Sequence, residues 1–175
     1  MATDGKVATD RKVTGYSPMQ VTLHWLVVVL VAFQFLAHDG IEESWRAFVR
    51  GEPATIGTST LTVMHWVTGI LVLLLALARI RLRLTRGAPS PPADEPRLMQ
   101  MAAEAVHGSI YLLLLLLPIS GAVAWFLGVR AAGAVHELLT NLLLAAIVLH
   151  VAGALFQHFV RRSQVLIRMF RPQRP

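Results

Sequence analysis

Cysteine is absent from this chain of 175 residues, and charged residues are scarce at 15%. Without a thiol the protein has no disulfides, thiolate zinc sites, iron–sulfur centres, cysteine nucleophile or covalently attached c-type haem. Soluble domains carry about 25% charged residues, so a hydrophobic fraction of 55% argues against a soluble globular protein. The same hydrophobicity excludes intrinsic disorder. The length is that of a single domain.

Long apolar runs occupy much of the sequence. Four of them, at 18–37, 61–80, 106–127 and 138–160, each contain 20 to 23 residues. About 20 helical residues cross the hydrocarbon core of a bilayer, and a helix satisfies its own backbone groups within lipid. We therefore expect residues 1–175 to form one all-α domain, an integral membrane four-helix bundle.

Three local signals refine these boundaries. Ser17 before Pro18 is typical of a helix N-cap followed by a first-turn proline. Pro118, inside the third run, is expected to kink its helix. The proline-rich stretch 87–96 is predicted to be a connector that is not helical throughout.

Positive charge is concentrated on one side of the predicted spans. Of the 16 Lys and Arg residues, only Arg46, Arg50 and Arg130 fall in the loops after the first and third predicted spans. The remainder are Lys6, Arg11, Lys12, Arg79, Arg81, Arg83, Arg86, Arg97, Arg161, Arg162, Arg168, Arg171 and Arg174. Positive loops stay cytoplasmic, so both termini are predicted to lie inside, with lipid rather than nucleic acid as the partner. A secondary role in pairing with acidic lipid is open.

Histidine is the polar residue that recurs in the predicted spans. Six of the seven lie within or at the ends of these segments: His24, His65, His107, His136, His150 and His158. Only His38 falls in a loop. Ionisable residues inside a bilayer are costly and mark functional sites by default.

Spacing arranges four of these histidines in two pairs. His136 and His150 are 14 residues apart, which places them within about 40° on one helix face and about 21 Å apart along the axis. His24 opens the first span and His65 the second, in the similar sequences LHWL and MHWV. Because successive helices run in opposite directions, the depths match as His24 with His150 and His65 with His136.

Two imidazoles at each of two depths favour iron in a porphyrin. Zinc usually takes four ligands, and no carboxylate lies inside the spans to complete such a site. A porphyrin supplies four nitrogens and leaves two axial positions, which imidazole suits. The pattern predicts two non-covalent b-type haems between the helices, built for electron transfer.

These residues resemble the bacterial cytochrome b561 family of small four-helix di-haem proteins. The resemblance covers nearly the whole chain and includes His24-Trp25, His65 with Gly69, and His107 leading to Leu117-Pro118-Ile119-Ser120-Gly121. It also includes His136-Glu137, His150 and His158. The family's axial ligands match His24 with His150 and His65 with His136.

The resemblance implies a superoxide:ubiquinone oxidoreductase of the bacterial inner membrane. Such an enzyme would oxidise superoxide, or another one-electron donor, at the outer face of the membrane and would reduce quinone. The loop 38–60 carries a net charge of −2, which does not favour an anion unless Arg46, Arg50 or Arg130 lines an entrance. One alternative is a cytochrome b anchor subunit serving a dehydrogenase or hydrogenase as redox partner. Another is a histidine-lined proton or metal transporter without haem.

The remaining candidates have two readings each. His107 competes with His24 for the position opposite His150, or contacts quinone or a haem propionate. His158 is an interfacial side chain or delivers protons to quinone. Glu137 is a partner of His136 or a helix-start carboxylate. The residues considered for balancing haem propionates are Arg79, Arg81 and Arg161.

Overall fold

The computed structural model describes residues 15–51 and 59–173. It contains five α-helices and one short 3-10 turn, with no strand in those two ranges. They are α1 Pro18–Leu36, α2 His38–Arg50, α3 Thr60–Arg86, α4 Arg97–Phe126, α5 Arg130–Phe159 and the turn Ile167–Met169. Four of the helices, α1, α3, α4 and α5, are long and apolar enough to cross a membrane. The all-α membrane four-helix bundle expected from the sequence is confirmed.

The start of α1 follows the predicted capping pattern. The backbone N–H of Gln20 donates to the Ser17 hydroxyl at 3.3 Å, and the Gln20 side-chain oxygen accepts from the Ser17 N–H at 3.0 Å. This reciprocal pair satisfies two N–H groups that have no partner within the helix. Pro18 occupies the first turn, where a missing N–H costs nothing.

Three of the four long helices extend beyond the apolar runs. α3 continues past 80 to Arg86, α4 begins at Arg97 rather than 106, and α5 begins at Arg130 rather than 138. Apolar composition marks only the lipid-immersed part, whereas backbone hydrogen bonds continue into the interface until the chain must turn. Gly87 and Gly128, with φ of 79° and 67°, make two of those turns. The loop between α4 and α5 is consequently much shorter than the ten residues expected.

An additional helix, α2, occupies the loop that follows α1. Hydropathy did not indicate it, because its 13 residues are too few and too polar to span a bilayer. Its apolar residues Ile41, Trp45 and Phe48 recur at helical spacing, and this signal could have revealed it. Buried Ser44 forms a 2.7 Å hydroxyl–hydroxyl hydrogen bond with Thr62, which ties α2 to α3.

The core lies among the four long helices. α4 and α5 pack closely as an antiparallel pair, α1 packs on α3, and α3 packs on α4. Small and branched side chains fill the centre: Val27, Val31, Val72, Ala76, Leu113, Leu114, Leu143 and Ala146. Many large apolar side chains, such as Val29 and Leu149, are exposed on the outside of the bundle, as expected for surfaces that face lipid.

The two ends of the bundle differ in composition. We call the end that contains Arg86, Arg97 and the segment after α5 the basic end, and the end covered by α2 the tryptophan end. All described arginines except Arg46, Arg50 and Arg130 lie towards the basic end. Lys6, Arg11, Lys12, Arg174 and the acidic Glu52 lie outside the described residues.

Candidate functional site

One histidine pair lies towards the tryptophan end. His65 on α3 and His136 on α5 face each other with ring centres 6.3 Å apart and ring planes inclined at 65°. Each is about one and a half turns from the start of its helix. The structure thus brings together two side chains separated by 71 positions in the sequence.

His136 is held by a neighbouring segment of α4. Its Nδ1 lies 3.0 Å from the Leu117 carbonyl and 3.2 Å from the Ser120 hydroxyl. A Cβ atom added at Gly121 would lie only 3.1 Å from the His136 ring, so the missing side chain permits this approach. Glu137, considered either as a partner of His136 or as a helix-start carboxylate, is exposed, and the hydrogen-bond contacts of the His136 ring come from α4 instead.

His65 has a different environment from its partner. Its Nδ1 is buried and has no hydrogen-bond partner among the described residues. The Gln34 side chain donates to the His65 backbone carbonyl at 3.0 Å and lies beside Gly69. Gln34 therefore positions the backbone of His65 and leaves its ring available to another group.

A second pair, with a third histidine beside it, lies towards the basic end. His24 on α1 and His150 on α5 have ring centres 6.3 Å apart and planes inclined at 65°. His107 on α4 is closer to His150, at 4.9 Å. It lies ten residues inside α4 rather than at its start.

A cavity at the basic end surrounds these three histidines. Arg79 donates to the Gln20 carbonyl and to the Tyr111 hydroxyl, both at 3.4 Å, and its guanidinium lies 5.8 Å from the Tyr111 ring centre. Burial raises the pKa of Tyr16, so its phenol remains protonated at neutral pH. The lining combines cationic, hydroxyl and imidazole groups: Tyr16, Gln20, His24, Arg79, Arg83, His107, Tyr111, His150 and Met169.

The segment after α5 folds back and closes one side of this cavity. The Trp25 indole N–H donates to the Met169 carbonyl at 2.9 Å, and the Trp25 and Phe170 rings are 5.0 Å apart. Arg168 donates to the Ser90 carbonyl at 2.9 Å. Sequence reasoning missed this segment, because its short mixture of basic and apolar residues does not show where it folds.

Aromatic side chains cover the tryptophan end. Ring centres lie 5.0 Å apart for Trp66 and Trp125, and 6.2 Å apart for Trp45 and Trp125. The cluster consists of Trp45, Phe48, Trp66, Trp125 and Phe126, from α2, α3 and α4. It forms a largely apolar layer at the same end of the bundle as His65.

Comparison with known proteins agrees with this architecture. The family profile described as prokaryotic cytochrome b561 matches residues 15–172. The chain belongs to the prokaryotic cytochrome b561 family. The resemblance seen in the sequence is thereby confirmed, and membership implies b-type haem and a role in electron transfer.

Three relatives match over most of their length. Cytochrome b562 of Cereibacter sphaeroides is 34% identical over 163 residues, covering 91% of this chain and 97% of that protein. The probable superoxide oxidase CybB of Yersinia pestis is 29% identical, covering 91% and 97%. Cytochrome b561 homolog 1 of Escherichia coli K12 is 27% identical, covering 88% and 96%.

Ring separation tests whether this cytochrome b561 chain fits haem iron. An imidazole nitrogen binds a transition metal at about 2 Å. Two such bonds, together with the distance from each nitrogen to the centre of its own ring, place the two ring centres about 6 Å apart. The 6.3 Å of both cross-helix pairs meets this requirement, and the 4.9 Å between His107 and His150 does not. No group of three or more histidine, aspartate or glutamate side chains within the described ranges could hold a bare metal ion.

Other predicted site residues have partners elsewhere. Arg161 forms an ion pair with Asp94 at 3.0 Å, and Arg81 is exposed, so only Arg79 of the three propionate candidates lines the cavity. His158 is half-buried against Phe159 at 4.9 Å and does not line it.

Proposed function

We propose that this protein oxidises superoxide at its tryptophan end and reduces ubiquinone at its basic end. The observation that carries the proposal is the repetition of one arrangement at two levels: two imidazoles from different helices, 6.3 Å apart. Such a repetition serves electron transfer across the bundle better than a single local reaction.

We infer that His65 with His136, and His24 with His150, are the axial ligands of two b-type haems. Haems bound there would supply one-electron transfer between the two ends. The protein's contribution is to hold each imidazole on a rigid helix and to exclude water from the core. His136 and His150 are 14 positions apart, which sets their separation along α5 at about 21 Å.

Quinone is the acceptor we propose, because Arg79 and Tyr111 supply polar groups at the basic end beside the His24–His150 pair. Reduction of a quinone to a quinol takes two electrons and two protons. Two superoxide ions supply the electrons and become two molecules of oxygen. Arg79 and Tyr111 could bind a quinone carbonyl oxygen, and the His107 imidazole lies beside them.

The choice of superoxide rests on likeness to the Yersinia pestis protein, which is named a probable superoxide oxidase. Two of the arginines considered as an anion entrance are engaged otherwise. Arg46 pairs with Glu42, and Arg130 donates to the Val49 carbonyl at 2.8 Å. We therefore expect weak electrostatic attraction and a superoxide rate that depends little on ionic strength.

We also propose the bacterial inner membrane as the location, with the basic end and both termini in the cytoplasm. Support comes from the arginines gathered at that end and from the retention of positive loops inside. Cysteine labelling of single-cysteine variants at Ser90 and Glu43 in intact cells tests this. Labelling of Glu43→Cys alone by an impermeant reagent is the expected result, and labelling of Ser90→Cys alone would contradict it.

The central experiment measures haem content and turnover of the purified protein. We expect about two b-type haems per chain, with reduction of a soluble ubiquinone by enzymatically generated superoxide. His65→Ala should lose one haem and the activity, while His38→Ala, a matched change in an exposed histidine at the same end, should retain both. A colourless folded protein would refute the haem proposal.

Two further results would redirect the assignment of function. Full haem content without superoxide-dependent quinone reduction would remove the superoxide proposal. Co-purification with an iron–sulfur partner would then point to an anchor subunit.

A further inference from the structure

The contacts of His136 distinguish the two histidine pairs. Leu117 presents a carbonyl oxygen, which can only accept a hydrogen bond, so the 3.0 Å contact requires a proton on Nδ1 of His136. The Ser120 hydroxyl donates to the same carbonyl at 3.0 Å and can accept from Nδ1 at 3.2 Å. The tautomer is thereby fixed, and Nε2 keeps the lone pair that binds a metal.

The local sequence of α4 explains why this carbonyl segment and the ring meet. Pro118 has no N–H, so the Leu114 carbonyl lacks its helical partner and α4 is loosened locally beside Leu117. Gly121 has no side chain on the face where the ring packs, and even a methyl group would lie 3.1–3.2 Å from Cε1 and Nδ1. Leu117, Ser120 and Gly121 therefore act together as a cradle, which we call the α4 cradle.

The other three paired histidines lack this support. Nδ1 of His65 is buried without a partner. Within residues 15–51 and 59–173, the structure gives no hydrogen bond from protein to a ring nitrogen of His24 or His150. The cavity beside those two contains Arg79 instead.

We propose that the α4 cradle is a positioning device that makes the tryptophan-end haem the lower-potential one of the two. This inference rests on the proposed ligand pairs. A hydrogen bond donated from Nδ1 increases electron density at Nε2, which stabilises ferric over ferrous iron. At the basic end, the positive charge of Arg79 favours the reduced state. Both effects favour electron flow from the tryptophan end to the basic end.

The test is a spectroelectrochemical titration of purified holoprotein. Gly121→Ala should push the His136 ring away from the Leu117 carbonyl and shift the lower midpoint potential upward, with the upper one unchanged. Gly108→Ala is the matched control on the same helix, because its Cβ would meet nothing within 4 Å. His65→Ala assigns the steps, since the step it removes belongs to the tryptophan end.

Ser120→Ala keeps the test decisive if Gly121→Ala loses its haem. Removing the second acceptor of Nδ1 should also raise the lower potential, with both haems retained. Unchanged potentials in the retained variants, or a lower step that belongs to the basic end, would overturn the inference. Failure of superoxide-dependent quinone reduction with these shifts present would instead overturn only the proposed reaction.

Discussion

The choice between His24 and His107 as the partner of His150 provides a sharp test of the geometry. The two ring-centre distances are 6.3 Å and 4.9 Å, a difference of 1.4 Å. Because two metal–nitrogen bonds and the ring radii need about 6 Å, the shorter pair has no room for iron. For His107 to serve, its ring would have to move away from His150 by more than about 1 Å.

We therefore expect His24→Ala to lose the basic-end haem and His107→Ala to retain it. The haem content should fall from about two to about one per chain in the first variant only. Pyridine haemochrome analysis against protein concentration measures this ratio, and a redox titration shows which step disappears. Loss of haem from His107→Ala, with full content in His24→Ala, would refute the ring-separation argument.

Three further predictions concern packing, ionisation and ligand orientation. Gly133→Ala places a Cβ 2.6 Å from the Trp45 ring and should cost about 1–3 kcal/mol by thermal unfolding in detergent, whereas Gly153→Ala meets nothing and should not. Burial raises the pKa of Tyr16 above its ordinary value of about 10. The contribution of its protonated phenol to the free energy of unfolding is therefore fully present below about pH 10 and is lost as the pH rises further. In Tyr111→Phe the remaining tyrosine is Tyr16, and an absorbance titration of this variant should give a midpoint for tyrosinate formation above pH 10. A midpoint at or below pH 10 would contradict the effect of burial. Both histidine pairs have ring planes inclined at 65°, and axial imidazoles inclined in this way would leave the dxz and dyz orbitals of a haem iron nearly equal in energy. The electron paramagnetic resonance signals of the ferric protein should therefore be strongly anisotropic. Ordinary rhombic spectra would contradict this orientation of the ligands.

Hydropathy located the membrane-crossing part of the bundle but not the ends of its helices. Apolar runs show only where side chains meet lipid. Because α3, α4 and α5 extend into polar sequence beyond these runs, hydropathy underestimated their length. The amphipathic α2 was missed for the same reason. Its helical spacing was present in the sequence, but a search for long apolar runs does not register it.

The sequence by itself determined the membrane class and the four spans, because hydrophobic length and helical rise are properties of one segment at a time. It also proposed His24 with His150 and His65 with His136 on depth alone. Only the tertiary structure decided which rings face each other at 6.3 Å, and that His107 lies too close to His150. The hydrogen bond from His136 to Leu117 and the fold-back of Met169 onto Trp25 were likewise decided there. Lateral distances depend on how four helices pack and rotate against one another, and no periodicity within a single helix contains that information.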